Sequence, residues 1–161
     1  MAKTLLEDFV AELNRNVFLR EFAFSRTELR LPGIGETEIA DHLILLDNLG
    51  LAFQLKERDA ESSLDPADLR SWFRSKVLKK AVGQVRATLQ MLRDHAGKTL
   101  TNDRGHEIQL PDAIPRRFAN VVLYRSPELP NGVAVSFYRS KTVGFIHVLP
   151  DFDISESAGT L

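Results

Sequence analysis

Two apolar runs joined by a tight turn constrain this chain more than any other feature. Ile39-Ala40 and Leu43-Ile44-Leu45-Leu46 lead into Asp47-Asn48-Leu49-Gly50, and Leu51-Ala52-Phe53 with Leu55 follows. Runs this short and apolar, flanking a turn-forming tetrapeptide, predict two paired strands, Glu38–Leu46 and Leu51–Leu55, central in a sheet and covered on both faces. Residues that resist burial stand inside them. Asp41 interrupts the first run, and thirteen residues later Gln54, then Lys56, close the second. An unpaired acid or lysine is costly to bury, so these groups make sense if they meet one another, or a metal, at an open edge.

The rest of the chain surrounds this pair with helices and further strands. Leu5, Leu6, Phe9, Val10 and Leu13 recur at helical spacing and predict a first helix over residues 4–15. Phe18, Phe22 and Phe24 suit a strand that leads into an extension over Thr27–Leu31, and Leu31-Pro32-Gly33-Ile34-Gly35 is a turn. Asp65-Pro66 opens a helix, with Asp as cap and Pro in the first turn. Val77, Leu78, Ala81, Val82, Val85, Leu89 and Leu92 form one apolar face, but Leu69, Trp72 and Phe73 are out of phase with it. A short helix is therefore expected, then a kink or break near Ser75, then a long helix to about His95, stopped by Ala96-Gly97. Residues 97–115 read as a polar excursion, turn-rich at Asn102–His106. Phe118–Tyr124, Val133–Tyr138 and Thr142–Leu149 read as three more strands. The order predicts an α/β domain: a mixed central sheet with flanking helices. A chain of 161 residues, 43% apolar and 27% charged, is long and apolar enough for one such domain with a real core. It is expected over residues 1–154, with a small polar tail, 155–161, expected to be disordered.

Several function classes drop out. Cysteine is absent, which excludes disulfides and thiolate metal sites, and His42, His95, His106 and His147 lack zinc-ligand spacing. No apolar run approaches a membrane span, and Met1-Ala2-Lys3-Thr4 runs straight into an amphipathic pattern, so a cytoplasmic protein without a targeting peptide is expected. The net charge of −1 favours no partner, but its distribution does. Asp68 to Lys98 holds eight basic residues and two acids, a net +6, which leaves −7 elsewhere. That segment reads either as a footprint for a polyanion or as a solvated helix face.

The polar groups of the hairpin suit one chemistry well. Hydrolysis of a phosphodiester uses a hard cation to polarise the phosphate and to lower the pKa of a water. Magnesium takes oxygen ligands and keeps several waters. Asp41 offers a carboxylate, Gln54 an amide oxygen and Leu55 a backbone carbonyl. Lys56 shares a strand face with Gln54 and suits the stabilisation of developing charge or the positioning of water.

This arrangement resembles the PD-(D/E)xK, or restriction-endonuclease-like, superfamily. Its hallmark is an acid on one strand and an acid-x-Lys triplet on the hairpin partner, here Asp41 and Gln54-Leu55-Lys56. The likeness covers roughly Leu5 to Leu92. Arg20-Glu21-Phe22-Ala23-Phe24-Ser25, followed by Glu38-x-Ala-Asp and Gln-x-Lys-Glu-Arg, is also similar to a group of bacterial proteins of this class. The departures are Gln54, where most members carry an acid, and the lack of a Pro before Asp41. The resemblance implies a restriction-endonuclease-like core and a nuclease using Mg2+ or Mn2+ on DNA, as endonuclease or exonuclease. A homodimer, or a partner protein that delivers it to DNA, would fit such a function. A third acidic ligand is implied near the first helix. Glu21 is the first candidate, a salt bridge to an arginine its other reading, and Glu38 the rival. Arg70, Arg74, Lys76, Lys79 and Lys80 are candidates for the phosphate backbone. Gln84 and Lys80 are candidates for contacting the triplet or a phosphate. The alternative is a module that keeps the nuclease fold without the reaction and binds nucleic acid or protein.

Overall fold

The two apolar runs pair as an antiparallel hairpin inside a larger sheet. The computed structural model describes residues 22–25, 40–59, 62, 64–102, 104–110, 112, 117–126, 129, 137–141 and 143–150. The expected first helix, the Thr27–Leu31 extension, Glu21, Glu38 and the tail lie outside the described residues. Strand β1 is Ala23–Ser25, β2 is His42–Leu46 and β3 is Leu49–Glu57. All three are antiparallel neighbours, with Ala23 opposite Ile44 and Leu43 opposite Ala52. The turn is tighter than the sequence suggests: only Asp47 and Asn48 lie between the strands. Asp47 adopts φ 47°, a left-handed conformation that Asp tolerates better than most residues. Gly50 has moved into β3, directly opposite Phe118, where a Cβ would overlap the Phe118 ring. A glycine there lets the aromatic lie flat on the strand.

Helix α1 (Pro66–Trp72), a π-helical stretch (Phe73–Lys80) and helix α2 (Ala81–Asp94) follow as one continuous arm. Asp65 caps it, accepting hydrogen bonds from the Ala67 and Asp68 N–H groups at 2.7 and 3.4 Å. Where a kink or break was expected near Ser75, the helix changes to π geometry without a break. Leu69, Phe73, Val77, Ala81, Val85 and Leu89 are all buried and recur every fourth residue. An α-helix turns by about 100° per residue, so strict four-residue spacing drifts by roughly 40° each step. The wider π turn removes that drift and keeps the early apolar residues over the same sheet.

Two short strands, β4 (Thr99–Thr101) and β5 (Glu107–Gln109), pair in the segment expected to be a polar excursion. Buried Leu100 and Leu110 pin them, and the Asn102 side chain closes their turn by accepting from the N–H groups of Arg104 and His106. Strand β6 (Arg117–Arg125) then lies parallel to β3, β8 (Gly144–Pro150) parallel to β6, and β7 (Phe137–Ser140) antiparallel on the edge. Among the described residues the sheet therefore has six strands in the order β1-β2-β3-β6-β8-β7, and it is mixed, as expected.

One sheet face packs on the helical arm. Leu43, Leu45, Ala52, Val122, Tyr124, Ile146 and Val148 meet Phe73, Val77, Ala81, Val85 and Leu89 in one core cluster. Each large apolar side chain so buried contributes about 1.5–3 kcal/mol, enough to fix strand register around the polar residues described next.

Candidate functional site

Asp41 precedes β2 by one residue. Its N–H donates to the Phe53 carbonyl at 3.0 Å, while His42 is registered on the same Phe53. Two residues thus face one, an offset of β-bulge type that re-aims a side chain at the end of a strand. The carboxylate is nearly buried and accepts the Leu55 N–H on Oδ2 at 2.7 Å. The same oxygen lies 3.9 Å from Lys56 Nζ, which donates to the Leu55 carbonyl at 3.0 Å. Acid and ammonium thus bracket the backbone of one residue. The short charge-assisted bond holds the carboxylate, and the ammonium balances its charge without direct hydrogen bonding.

Gln54 shares the strand face of Lys56 and is fully buried. Neither its Nε2 nor its Oε1 has a hydrogen-bond partner among the described residues. An unsatisfied buried amide costs about 1–3 kcal/mol, so a purely structural position would more readily hold leucine or methionine. Asn120, opposite Ala52 on β6, is 3% exposed, and its Oδ1 also lacks a partner among the described residues. Sequence reading passed over this residue, although a lone Asn inside the run Phe118–Tyr124 was a visible signal. Tyr124 stands opposite Lys56, and burial raises its phenol above the ordinary value of 10.0.

The expected site residues therefore divide. Asp41, Leu55 and Lys56 come together, and Gln54 lies directly before Leu55 in the same strand. Glu21 and Glu38 fall outside the described residues. Gln84 is buried on α2 beside Ala81 and Val85, so of its two expected roles only the inward one suits its position. Arg70, Arg74, Lys76, Lys79 and Lys80 are all exposed. Arg70, Arg74 and Lys79 line a shallow groove with Ala67, Ser71 and Ser75. Arg58, two residues beyond Lys56, holds its guanidinium 5.7 Å over the Trp72 ring and ties the start of this groove to the end of β3.

The donor set is made of hard oxygens: the Asp41 carboxylate, the Leu55 carbonyl and the orphaned Gln54 amide oxygen. It fits magnesium or manganese with retained waters better than zinc. Among the described residues no three His, Cys, Asp or Glu side chains cluster to hold a metal by themselves. No helix among them is long and apolar enough to cross a membrane. The fold is thus an α/β mixed sheet with a helical arm on one face and a polar group at the end of its central hairpin. No protein-family model, curated protein or solved structure matches this chain.

Proposed function

We propose that this protein is a divalent-metal-dependent nuclease with a restriction-endonuclease-like core, hydrolysing phosphodiester bonds of DNA in the cytoplasm. The observation that carries the reading is the nearly buried Asp41 carboxylate, held at 2.7 Å by the Leu55 N–H directly after Gln54, whose fully buried amide has no partner among the described residues. The antiparallel strands β1-β2-β3, followed by the helical arm, also match the order that the family resemblance implies. Asp41, Gln54 and Leu55 would hold Mg2+ or Mn2+, with Glu21 or Glu38 as the further acid. When bound, the ion supplies a polarised phosphate and an acidified water. Lys56 stabilises developing charge at the phosphate or positions the water. Arg70, Arg74 and Lys79 seat the phosphate backbone without reading bases. Cleavage of both strands needs two active sites, which a homodimer would supply; a partner protein would serve instead to deliver the chain to DNA.

A second reading has one observation in its favour. Lys56 already balances Asp41 and bonds the Leu55 carbonyl, as expected of a nuclease-fold module that binds nucleic acid or protein without cleaving.

Manganese titration calorimetry combined with cleavage of plasmid and oligonucleotide substrates separates the two. For the nuclease, wild type binds Mn2+ and cleaves, Asp41→Ala loses both, and Lys56→Ala still binds the ion but does not cleave. Wild-type-like Mn2+ binding by Asp41→Ala refutes the assignment of Asp41 as ligand. DNA binding with neither ion uptake nor cleavage establishes the inactive module.

A further inference from the structure

The far edge of the sheet carries a surface that the candidate metal centre does not use. In β8, Ile146 and Val148 are buried, whereas Phe145 and Leu149 are 54% and 41% exposed. Strand residues alternate faces, so Phe145, His147 and Leu149 share the outer one. The register adds Phe137 opposite His147 and Arg139 opposite Phe145, because paired residues share a face. Phe137 is 57% exposed, and its ring lies 6.0 Å from that of Phe145, tilted by 57°. The Arg139 guanidinium stands 5.3 Å over the Phe145 ring. Two exposed phenylalanines side by side on an edge hairpin are a patch, not scattered surface residues.

Charge selects the occupant. From Phe137 to Pro150 the sequence holds Arg139, Lys141 and His147 and no acid. A second copy of this chain docking through a two-fold axis would set this patch against an identical one, with cations on both sides and no carboxylate of the hairpin to pair them. Positive charges on an edge strand also oppose strand-to-strand pairing. A polyanion that exposes flat apolar rings meets both halves of the surface.

We infer that the β7–β8 hairpin is a binding platform for single-stranded nucleic acid, with unpaired bases stacked on Phe137 and Phe145 and phosphates held by Arg139 and Lys141. Aromatic stacking accepts any base because every base has a π face, and duplex DNA keeps those faces hidden. The platform extends the nucleic-acid reading above to unpaired nucleotides. It lies two strands from β3 on the face opposite Lys56, so binding here and cleavage there are separable.

The test is fluorescence anisotropy with the full chain in EDTA, using a labelled oligothymidylate and a duplex of equal length. Wild type binds the single strand. Phe137→Ala and Phe145→Ala each weaken that binding roughly 5- to 100-fold, the range of one lost base stack, and leave duplex binding unchanged. Phe145→Trp restores it. Arg139→Gln weakens it and flattens the salt dependence, because one phosphate contact is lost. Thermal melting checks that each variant is folded; these side chains are exposed, so little change is expected. The inference fails if the alanine variants bind the single strand as wild type does, or if wild type does not bind it. It also fails if sedimentation shows a wild-type dimer that Phe137→Ala and Phe145→Ala dissociate, since the patch then joins two copies. Because the ion is absent, failure of the nuclease reading appears separately, as loss of cleavage in manganese with this binding intact.

Discussion

Replacing Gln54 by Met should stabilise the protein while removing its function. Gln54 is fully buried, and both polar atoms of its amide lack partners among the described residues. Burial of an unpaired amide costs about 1–3 kcal/mol. Methionine keeps the length and unbranched shape of glutamine, so the swap removes that cost with little cavity or overpacking. The metal-free variant should gain about 1–3 kcal/mol, and its Tm should rise by roughly 2–10 °C for a chain of this size. Urea denaturation in EDTA measures the gain, and manganese titration should show weaker ion uptake in the same variant. Gln54→Glu is the converse test. It places a second carboxylate in a fully buried position, next to the residue whose N–H holds Asp41, and should destabilise the metal-free protein by several kcal/mol. Manganese should restore much of that loss, because an ion that binds only the folded chain stabilises it. A Gln54→Met protein less stable than wild type refutes the reasoning: the amide would then be a satisfied structural group.

Tyr124 and the helical arm give further tests. Burial holds the Tyr124 phenol above 10.0, so the unfolded chain ionises first as pH rises. The stability this group contributes is complete below pH 10 and falls above it by about 1.4 kcal/mol per pH unit until the folded phenol titrates; urea midpoints at pH 9 and 11 should show a smaller drop for Tyr124→Phe, and an equal drop counts against it. Replacing Arg70, Arg74 and Lys79 together by Ala should weaken duplex binding equally across sequences and flatten its salt slope, with stability nearly unchanged. A triple variant that binds as wild type would leave the groove a solvated face.

The parts legible in the sequence were those where one strong local signal agreed with the tertiary context. The Asp47–Asn48 turn sits between two apolar runs and formed the central hairpin. Asp65-Pro66 started the helical arm, and the run Phe118–Tyr124 became β6. The parts that escaped reading have weak local signals. Strands β4 and β5 are three residues each, too short for alternation to register. The π stretch has no local signature: Leu69, Trp72 and Phe73 fall out of ideal α-helical phase, which predicts a kink or break, and the helix widens there. Strand β7 covers Phe137–Ser140, and residues 133–136 of the expected strand Val133–Tyr138 lie outside the described residues. Apolar content marked those residues for a strand, but it did not tell which of them stay on the surface. Asp41 and Lys56 were legible because charge inside an apolar run demands a partner. Asn120 carries no charge and raised no such demand.

The convergence at the hairpin's open end follows from topology. In an antiparallel pair the start of β2 lies beside the end of β3, so Asp41 and Lys56 must meet once the two-residue turn fixes the register. Parallel pairing then sets the carboxyl ends of β6 and β8 at the same edge, placing Tyr124 opposite Lys56. Sheets of this kind gather functional groups at the carboxyl ends of their parallel strands. The helical arm starts from that edge, because it follows β3 and must cross back before β6 can run parallel to it. The Arg58–Trp72 contact holds the start of the arm against the end of β3, while Arg70 and Arg74 are exposed on the groove they share with Lys79. Arg93 lies 23 residues beyond Arg70, about 35 Å at helical rise, so the basic residues from Arg70 to Arg93 are spread along the arm and not gathered at that edge.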